Sequence, residues 1–226
     1  FCCLLSDKVY DLEAVDCEVN DNNAMSGDNA DLRNVYVFAG QNNIFRNCRF
    51  NNAFSESLFC RGFLAEGTSA LVLEDCQANG TRVKTSVVDT GTTAGARGLS
   101  IKFSSDVVLK RCQANLTTNQ ENQGSTGTGI NGPIGIQVNS CERTLIQDSQ
   151  ANLTTILSST GETTDGRNLA VGILIYGGSS ECIVRNCEAN FTDIDGEADG
   201  AFGIAVFGSA SDITVSACEA SAGRAA

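Results

Sequence analysis

The chain has 226 residues, and its 15 basic and 27 acidic side chains give it a formal net charge of −12 at pH 7. It contains no histidine, which excludes Ser-His-Asp and Cys-His catalysis, histidine-ligated zinc and histidine general bases. The acidic balance argues against nucleic acids and anionic membranes as partners, and no apolar run approaches the roughly 18 residues of a membrane span.

The first predicted element is short and apolar. The run FCCLLSD begins residues 1–11, which we expect to form a partial first coil or a cap of the repeat that follows. Residues 222–226 are expected to form a short tail. We predict a single domain for residues 1–226, because one repeat runs through almost the whole chain.

A repeat centred on cysteine organises the chain. Its copies read, for example, VDCEVN, EDCQAN and RNCEAN, and their central residues are 28 to 38 positions apart. One copy has serine in place of cysteine. The central residues are Cys17, Cys48, Cys76, Cys112, Ser149, Cys187 and Cys218. Seven copies predict about seven coils.

Apolar residues alternate with polar ones inside each repeat. A second signal lies 14 or 15 residues before the central residue and reads GFLA, GLSI, GIQV, GILI or GIAV, with NVYV as a version without glycine. The first and third residues after the glycine are apolar in most copies, such as Leu99 and Ile101. Because the period is two, the pattern predicts strands. We predict three short strands per repeat, joined by tight corners.

Such short strands bury their apolar sides only when successive coils stack, with strands about 4.8 Å apart. Like residues then form columns, including one of cysteines. We expect these thiols to be buried packing groups, with disulfides between successive coils as the alternative. A bridge among the other cysteines stays open; they are Cys2, Cys3, Cys60, Cys141 and Cys182.

An asparagine follows the central residue by three positions in six copies. These residues are Asn20, Asn51, Asn79, Asn115, Asn152 and Asn190. Asparagine tolerates left-handed backbone conformations, and stacked amides form ladders, so we expect an asparagine ladder at a corner. The alternative is N-glycosylation, because four of the six begin Asn-X-Thr sequons; these are Asn79, Asn115, Asn152 and Asn190.

The pattern G-[IL]-x-[VI] followed by [VIL]-x-x-C-x-A-N resembles the right-handed parallel β-helix repeat of the pectin-lyase-like superfamily. The resemblance covers residues from about 10 to 221. It implies an all-β, right-handed parallel β-helix. It does not define the function, because that superfamily includes polysaccharide lyases, glycoside hydrolases, epimerases, tailspikes, adhesins and filament or surface-layer components.

The catalytic signatures that this resemblance would imply are missing. Polygalacturonase-like members carry paired aspartates, a Gly-His-Gly turn and Arg-x-Lys, and lyase-like members use an acidic calcium site beside an Arg or Lys base. Charged residues do occur in the variable segments between repeats, but they share no common register; they are Lys84, Asp89, Arg97, Asp165 and Arg167. We therefore predict no catalytic residues.

The variable segments between the asparagine and the next glycine are long and polar. They comprise residues 81–97, 116–134, 153–171 and 191–202. All leave the coil at the same corner, so we expect them to cluster on one edge, as a binding surface or as tolerated insertions. The last contains Asp193, Asp195 and Asp199, whose alternating carboxylates resemble part of a calcium loop. The alternatives are a calcium site and a solvated acidic loop, and no other cofactor is predicted.

The sequence favours a non-catalytic structural or surface β-solenoid, extracellular or on the cell surface. Its end coils have two explanations: the chain is a piece of a longer β-helix, or it associates end to end with copies of itself into a filament. The alternative is a carbohydrate-active enzyme or a carbohydrate-binding module with glycan partners on the long-segment edge. A third hypothesis is ice binding through the threonine pairs 117–118 and 154–155.

Overall fold

A computed structural model describes residues 2–24, 31–57, 59–88, 94–125, 130–160, 167–196 and 200–225. These residues form strands, bridges and turns, and they contain no helix that is long and apolar enough to cross a membrane. The described strands all pair in parallel and form three sheets. The predicted all-β parallel β-helix with three strands per coil is therefore confirmed.

Seven coils are present in the described part of the chain. Coils 1 to 3 contain β1 (Cys2–Asp7), β2 (Glu13–Val15), β3 (Asn23–Ala24), β4 (Asp31–Phe38), β5 (Ile44–Arg46), β6 (Phe54–Ser57), β7 (Phe59–Glu66), β8 (Val72–Glu74) and β9 (Arg82–Val88). Coils 4 and 5 contain β10 (Gly95–Lys102), β11 (Ser105–Lys110), β12 (Thr118–Ser125), β13 (Ile130–Asn131), β14 (Ile134–Asn139), β15 (Glu142–Gln147) and β16 (Thr155–Thr160). Coils 6 and 7 contain β17 (Arg167–Tyr176), β18 (Ile183–Arg185), β19 (Glu188–Gly196), β20 (Gly200–Val206), β21 (Thr214–Ser216) and β22 (Glu219–Ala225).

Each coil contributes to all three sheets. Sheet A is β1-β4-β7-β10-β14-β17-β20, with the short β13 also paired to β17. Sheet B is β2-β5-β8-β11-β15-β18-β21, and sheet C is β3-β6-β9-β12-β16-β19-β22. The strand β1 lies within the predicted partial coil or cap, and β22 extends into the predicted tail. The right hand of the coil stays a prediction.

The register places equivalent residues of successive repeats over one another. Leu99 pairs with Ile136, and Ile136 with Ile173, along sheet A. Glu18 pairs with Arg49, and this column of residues, each one position after the central residue, continues to the last coil. The cysteine series is therefore aligned along the solenoid. The main core packs the inward residues of sheets A and B against this column.

Left-handed residues turn the chain at four corners in most coils. In coils 4 and 5 their φ angles lie between 49° and 59°. These residues are Phe103, Asp106, Arg111, Leu116, Ser140, Arg143, Asp148 and Leu153. Only glycine and, less readily, Asn or Asp adopt this conformation without strain. The other residue types are held in this conformation because the backbone at each corner is hydrogen-bonded to the coils on both sides.

The interior of each coil narrows where a glycine meets an alanine, and we call this narrow layer the waist. Each glycine of the second sequence signal faces the alanine that lies two positions after the central residue of its repeat. A Cβ on Gly98, for example, would lie 2.7 Å from the Ala114 Cβ. Leu99, on one side of the waist, belongs to the main core, whereas Ala96, on the other, packs in a second cluster with Val83. The glycine is therefore required by close packing, because any side chain would push the two walls apart.

Much of each variable segment is strand rather than loop. The strands β9, β12, β16 and β19 lie in these segments and build sheet C. Their polar sequences show little alternation, but backbone pairing with the coils on both sides requires none. The tips at 89–93, 126–129, 161–166 and 197–199 lie outside the described residues. The described strand ends beside these tips line one flank, between sheets C and A.

Candidate functional site

The cysteine column is a packing feature of the core. Cys48, Cys76 and Cys112 are fully buried, and the cysteines whose side chains are described are free thiols. From Cys48 onwards, each thiol of the column donates to a carbonyl of the preceding coil, as Cys76 Sγ does to the Phe45 oxygen at 3.3 Å. Burial raises the pKa of Cys112 to about 12 and that of Cys187 to about 11. These thiols are therefore neutral and poorly nucleophilic at neutral pH.

Ser149 shows what the column position requires. Its Oγ accepts a hydrogen bond from the Cys112 backbone N–H at 3.1 Å and donates to the Gln147 carbonyl at 2.9 Å. Serine therefore occupies the cysteine position with its polar atom satisfied. The position requires a small side chain that donates a hydrogen bond, and a thiol is not essential.

The recurrent asparagines form a ladder along the corner between sheets B and C. Asn79 Oδ1 accepts from the Asn115 backbone N–H, Asn115 Oδ1 from that of Asn152, and Asn152 Oδ1 from that of Asn190, each at 2.8 Å. The threonines of the four sequons are fully buried; they are Thr81, Thr117, Thr154 and Thr192. The Asn-X-Thr repeat thus has a structural explanation, and glycosylation stays a prediction.

Replacing Asn115 tests the ladder. Asn115→Ala leaves the half-buried Asn152 N–H without its acceptor, so we expect the free energy of unfolding to fall by about 1–2 kcal/mol. Asn115→Asp keeps an acceptor oxygen and should cost less, although it also removes the sequon. Urea unfolding of both variants measures the difference. Equal losses in the two variants would refute the role of the Oδ1 acceptor.

The acidic cluster lies partly on sheet C. Asp193 and Asp195 are exposed in β19, and Asp193 Oδ1 accepts from the Ile194 N–H at 2.9 Å. Asp199 lies outside the described residues. Among the residues that the structure describes, no three or more acidic, cysteine or histidine side chains form a metal-binding group. Calcium binding stays a prediction.

The other charged and threonine candidates are distributed over different surfaces. Lys84 is exposed in sheet C, whereas Arg97 is buried in sheet A. Asp89 and Asp165 lie outside the described residues, and Arg167 begins β17. In the threonine pairs, Thr117 and Thr154 are buried, so the outward surface carries only one threonine of each pair.

Sheet A instead carries a row of cations on its outer face. Arg33, Arg61 and Arg97 pair in register on β4, β7 and β10. Arg61 is 5% exposed and Arg97 is 2% exposed, which is unusual for arginine. Lys102 lies on the same face, in register with Glu66. This row was not predicted from the sequence, although the dipeptides Arg33-Asn34, Arg61-Gly62 and Arg97-Gly98 precede the core strand residues in three consecutive repeats.

Asp31 neutralises one end of this row. It pairs with Arg33, at 2.5 Å to Nη2, and with Arg61. Burial alone would raise the pKa of Asp31, but the charges and hydrogen bonds of the two arginines outweigh it and hold the pKa below its usual value. Arg61 also lies over the Phe59 ring, 4.7 Å from its centroid, and its buried Nε has no hydrogen-bond partner.

Arg97 is held by backbone carbonyls. Nη1 donates to the oxygens of Ala96, at 2.9 Å, and Gly132, and Nη2 donates to those of Ala94 and Ile130 at 3.2 and 3.3 Å. Burial lowers the pKa of the guanidinium to about 9, the Tyr176 hydroxyl opposes this shift and the charge of Arg61 adds to it. Arg97 therefore cross-links two segments of the flank, residues 94–96 and 130–132.

Replacing Arg97 should destabilise the protein strongly. Arg97→Lys keeps the charge but cannot reach four acceptors, so we expect a loss of about 3 kcal/mol in the free energy of unfolding. Arg49→Lys is the matched control, because Arg49 is half exposed in an ion pair with Glu18 and should cost less than about 1 kcal/mol. Urea denaturation measures both. Equal stabilities of the two variants would contradict the cross-linking role.

The cationic face extends to Lys102. Burial lowers the pKa of this amine to about 8, the charges of Arg61 and Arg97 act in the same direction, and Glu66 opposes them. In coils 2 to 4, the described outer face of sheet A carries four cations and two carboxylates; they are Arg33, Arg61, Arg97, Lys102, Asp31 and Glu66. An excess of positive charge on a chain of net charge −12 makes this face a candidate anion-binding surface.

A polar chain continues along the axis beside this row. Ser100 Oγ donates to Gln137 Oε1, and Gln137 Nε2 donates to the Tyr176 hydroxyl oxygen, both at 2.8 Å. Ser100 and Gln137 are buried. The outer face of sheet A thus carries cations in coils 2 to 4 and a largely buried chain of neutral hydrogen-bonded groups in coils 4 to 6.

Comparisons with known proteins do not assign a family. No protein-family profile matches the chain, and no curated protein matches it. Two solved structures show a weak likeness, both of QnrB1, a plasmid-mediated fluoroquinolone resistance protein. The trypsin-treated form is 11% identical over 88% of this chain and 91% of its own, with a TM-score of 0.19. The full-length form is 13% identical over 90% and 93%, with a TM-score of 0.17. At these TM-scores and identities, the likeness indicates neither a family nor a function for this chain.

Proposed function

We propose that the protein is a non-catalytic, extracellular structural or surface β-solenoid that associates through its end coils. The observation that carries this proposal is the exposed core of coil 7. Val215 is 46% exposed, whereas Val184, its partner one coil earlier, is fully buried. Within the described residues no coil covers Val215. Open strand edges with apolar side chains pair readily with further strands, so a coil of a second copy would complete this surface.

Substituting Val215 tests the association. Val215→Lys places a charge in the core column at the open edge of coil 7 and should prevent stacking. Thr214→Lys is the matched control, because Thr214 lies on the outer face of the same strand. We expect the wild type and Thr214→Lys to form assemblies that lengthen with concentration in light scattering and negative-stain images. Monomers at every concentration, or unchanged assembly of Val215→Lys, would refute the proposal.

The cation row on sheet A favours a second candidate function, the binding of an acidic polysaccharide. The nearly buried Arg61 and Arg97 provide positive charge beside the flank where the variable segments lie, and Lys102 adds a partly exposed cation further along the same face. With this second function we also propose that the chain belongs to the pectin-lyase-like superfamily, because its repeat resembles the β-helix repeat of that superfamily. Both candidates are compatible with one surface protein.

Binding to immobilised polysaccharides tests this second function. We expect an acidic polysaccharide to retain the protein, a neutral one not to, and added salt to release it. Lys102→Gln should weaken retention several-fold, whereas Lys84→Gln on sheet C should not. Assay of newly released sugar ends in the same samples distinguishes an enzyme from a binding module. Equal retention by both polysaccharides would refute the function of the cation row.

A further inference from the structure

The first two cysteines of the column are close neighbours in coils 1 and 2. The Arg49 N–H donates to the Cys17 carbonyl at 2.8 Å, and Glu18 pairs with Arg49. Cys17 and Cys48 therefore occupy equivalent positions on adjacent parallel segments. Their Cα atoms are separated by about the strand spacing of 4.8 Å, which lies within the range of about 4.4–6.8 Å that a disulfide spans.

Both thiols lie beside β2. Cys48 Sγ donates to the Ala14 carbonyl in coil 1 at 3.4 Å, besides that of Arg46 at 3.2 Å. Cys17 Sγ donates to the neighbouring Val15 carbonyl, also at 3.4 Å. Both sulfur atoms thus lie against consecutive carbonyls of β2. Burial raises the pKa of Cys48. A hydrogen bond with the Cys17 backbone opposes this rise, whereas the charge and the side-chain hydrogen bond of Cys17 add to it, in keeping with contact between the two groups.

Access to solvent distinguishes Cys17 from the next members of the column. Cys17 is partly exposed, as is Cys218 at the other end of the column, whereas Cys48, Cys76 and Cys112 are fully buried. While no second copy covers coil 1, an external disulfide can therefore react at Cys17, but not at the interior thiols while the coils are closed. Cys48 is the thiol placed to resolve the product.

We propose that Cys17 and Cys48 form a disulfide that ties coil 1 to coil 2, by exchange with a low-molecular-weight disulfide such as oxidised glutathione. The Cys17 thiolate attacks one glutathione sulfur and releases a first glutathione thiolate, leaving a mixed disulfide at Cys17. The Cys48 thiol loses its proton to solvent, attacks Cys17 Sγ and displaces the second glutathione. In total, the two protein thiols are oxidised to one disulfide, and one oxidised glutathione is reduced to two molecules of glutathione. The two glutathione thiolates take up the protons that Cys17 and Cys48 have lost. Because Cys48 is buried, the second step is slow.

Peptide mapping of the folded protein tests this proposal. The protein is incubated in oxidised glutathione, free thiols are blocked under denaturing conditions, and trypsin cuts at Arg33 and Arg46 between the two cysteines. We expect a linked pair of peptides that contains Cys17 and Cys48, with Cys76 and Cys112 recovered as blocked thiols. A free Cys17, or glutathione retained on Cys17 without transfer to Cys48, would overturn the proposal.

Two serine variants separate the steps. Cys48→Ser should retain glutathione on Cys17, and Cys17→Ser should leave Cys48 unreacted. Serine at Ser149 already occupies the same column, so both variants are expected to fold, and circular dichroism checks this. Reaction of Cys48 in Cys17→Ser at the wild-type rate would show that Cys17 is not the point of entry and would refute the mechanism.

Discussion

Raising the pH from 8 to 10.5, with a reducing agent present, should lower the free energy of unfolding steeply. Burial raises the pKa of seven described thiols above the ordinary value of 9.0, among them Cys141 and Cys187 at about 11 and Cys112 at about 12. The others are Cys48, Cys60, Cys76 and Cys182. Their stabilising effect is complete below pH 9, where the unfolded chain also keeps its thiol protons, and is lost as the pH rises towards the folded pKa values.

The size of this effect follows from the number of thiols. Each thiol that is ionised in the unfolded chain but protonated in the folded one contributes up to about 1.4 kcal/mol per pH unit. Lys102 and Arg97 act in the opposite direction, because burial lowers their pKa values to about 8 and about 9, but they are two groups against seven. We therefore expect several kcal/mol of lost stability by pH 10.5.

Two substitutions in the cysteine column provide the matched test. Cys112→Ser removes one buried thiol and should reduce the slope by up to about 1.4 kcal/mol per pH unit, while Ser149→Cys should increase it by a similar amount. Urea unfolding at pH 8, 9, 10 and 10.5 measures both slopes. A flat profile for the wild type, or identical slopes for the two variants, would contradict the assignment of the effect to the column.

A methyl group at the waist should be among the most damaging small substitutions. In Gly135→Ala the new Cβ would lie 2.7 Å from the Ala151 Cβ and 2.7 Å from the Gly172 carbonyl oxygen. Both contacts are far inside ordinary van der Waals distances, and the carbonyl belongs to the neighbouring coil. We expect a loss of about 3 kcal/mol, the upper end of the usual cost of overpacking.

The alanine across the waist supplies the control for this substitution. The double variant Gly135→Ala with Ala151→Gly removes the methyl–methyl contact but keeps the contact with the carbonyl, so it should recover part of the loss. Thermal and urea unfolding of the two single variants and the double variant give the coupling energy. Simple additivity would show that the two residues do not meet across the waist.

Several features were predictable because a solenoid converts sequence period into spatial contact. Cys76 and Cys112 are 36 residues apart, yet they become neighbours because each coil repeats the same corners. The strands of sheets A and B follow from apolar alternation, as at Leu99 and Ile101, and the asparagine ladder from one recurrent residue. Periodicity suffices in these cases, since position in the repeat defines position in space.

The sequence by itself determined the number of coils, their stacking and the identity of the columns, because all three depend on a recurring local pattern. Only the tertiary structure decided that the polar segments continue as sheet C, since backbone pairing forms that sheet without an apolar pattern. It also decided the cation row. Arg61 and Arg97 lie side by side because of the register between β7 and β10. Arg97 also donates to carbonyls within residues 94–96 and 130–132. These contacts depend on the path by which each variable segment returns to sheet A, and no local sequence pattern encodes that path.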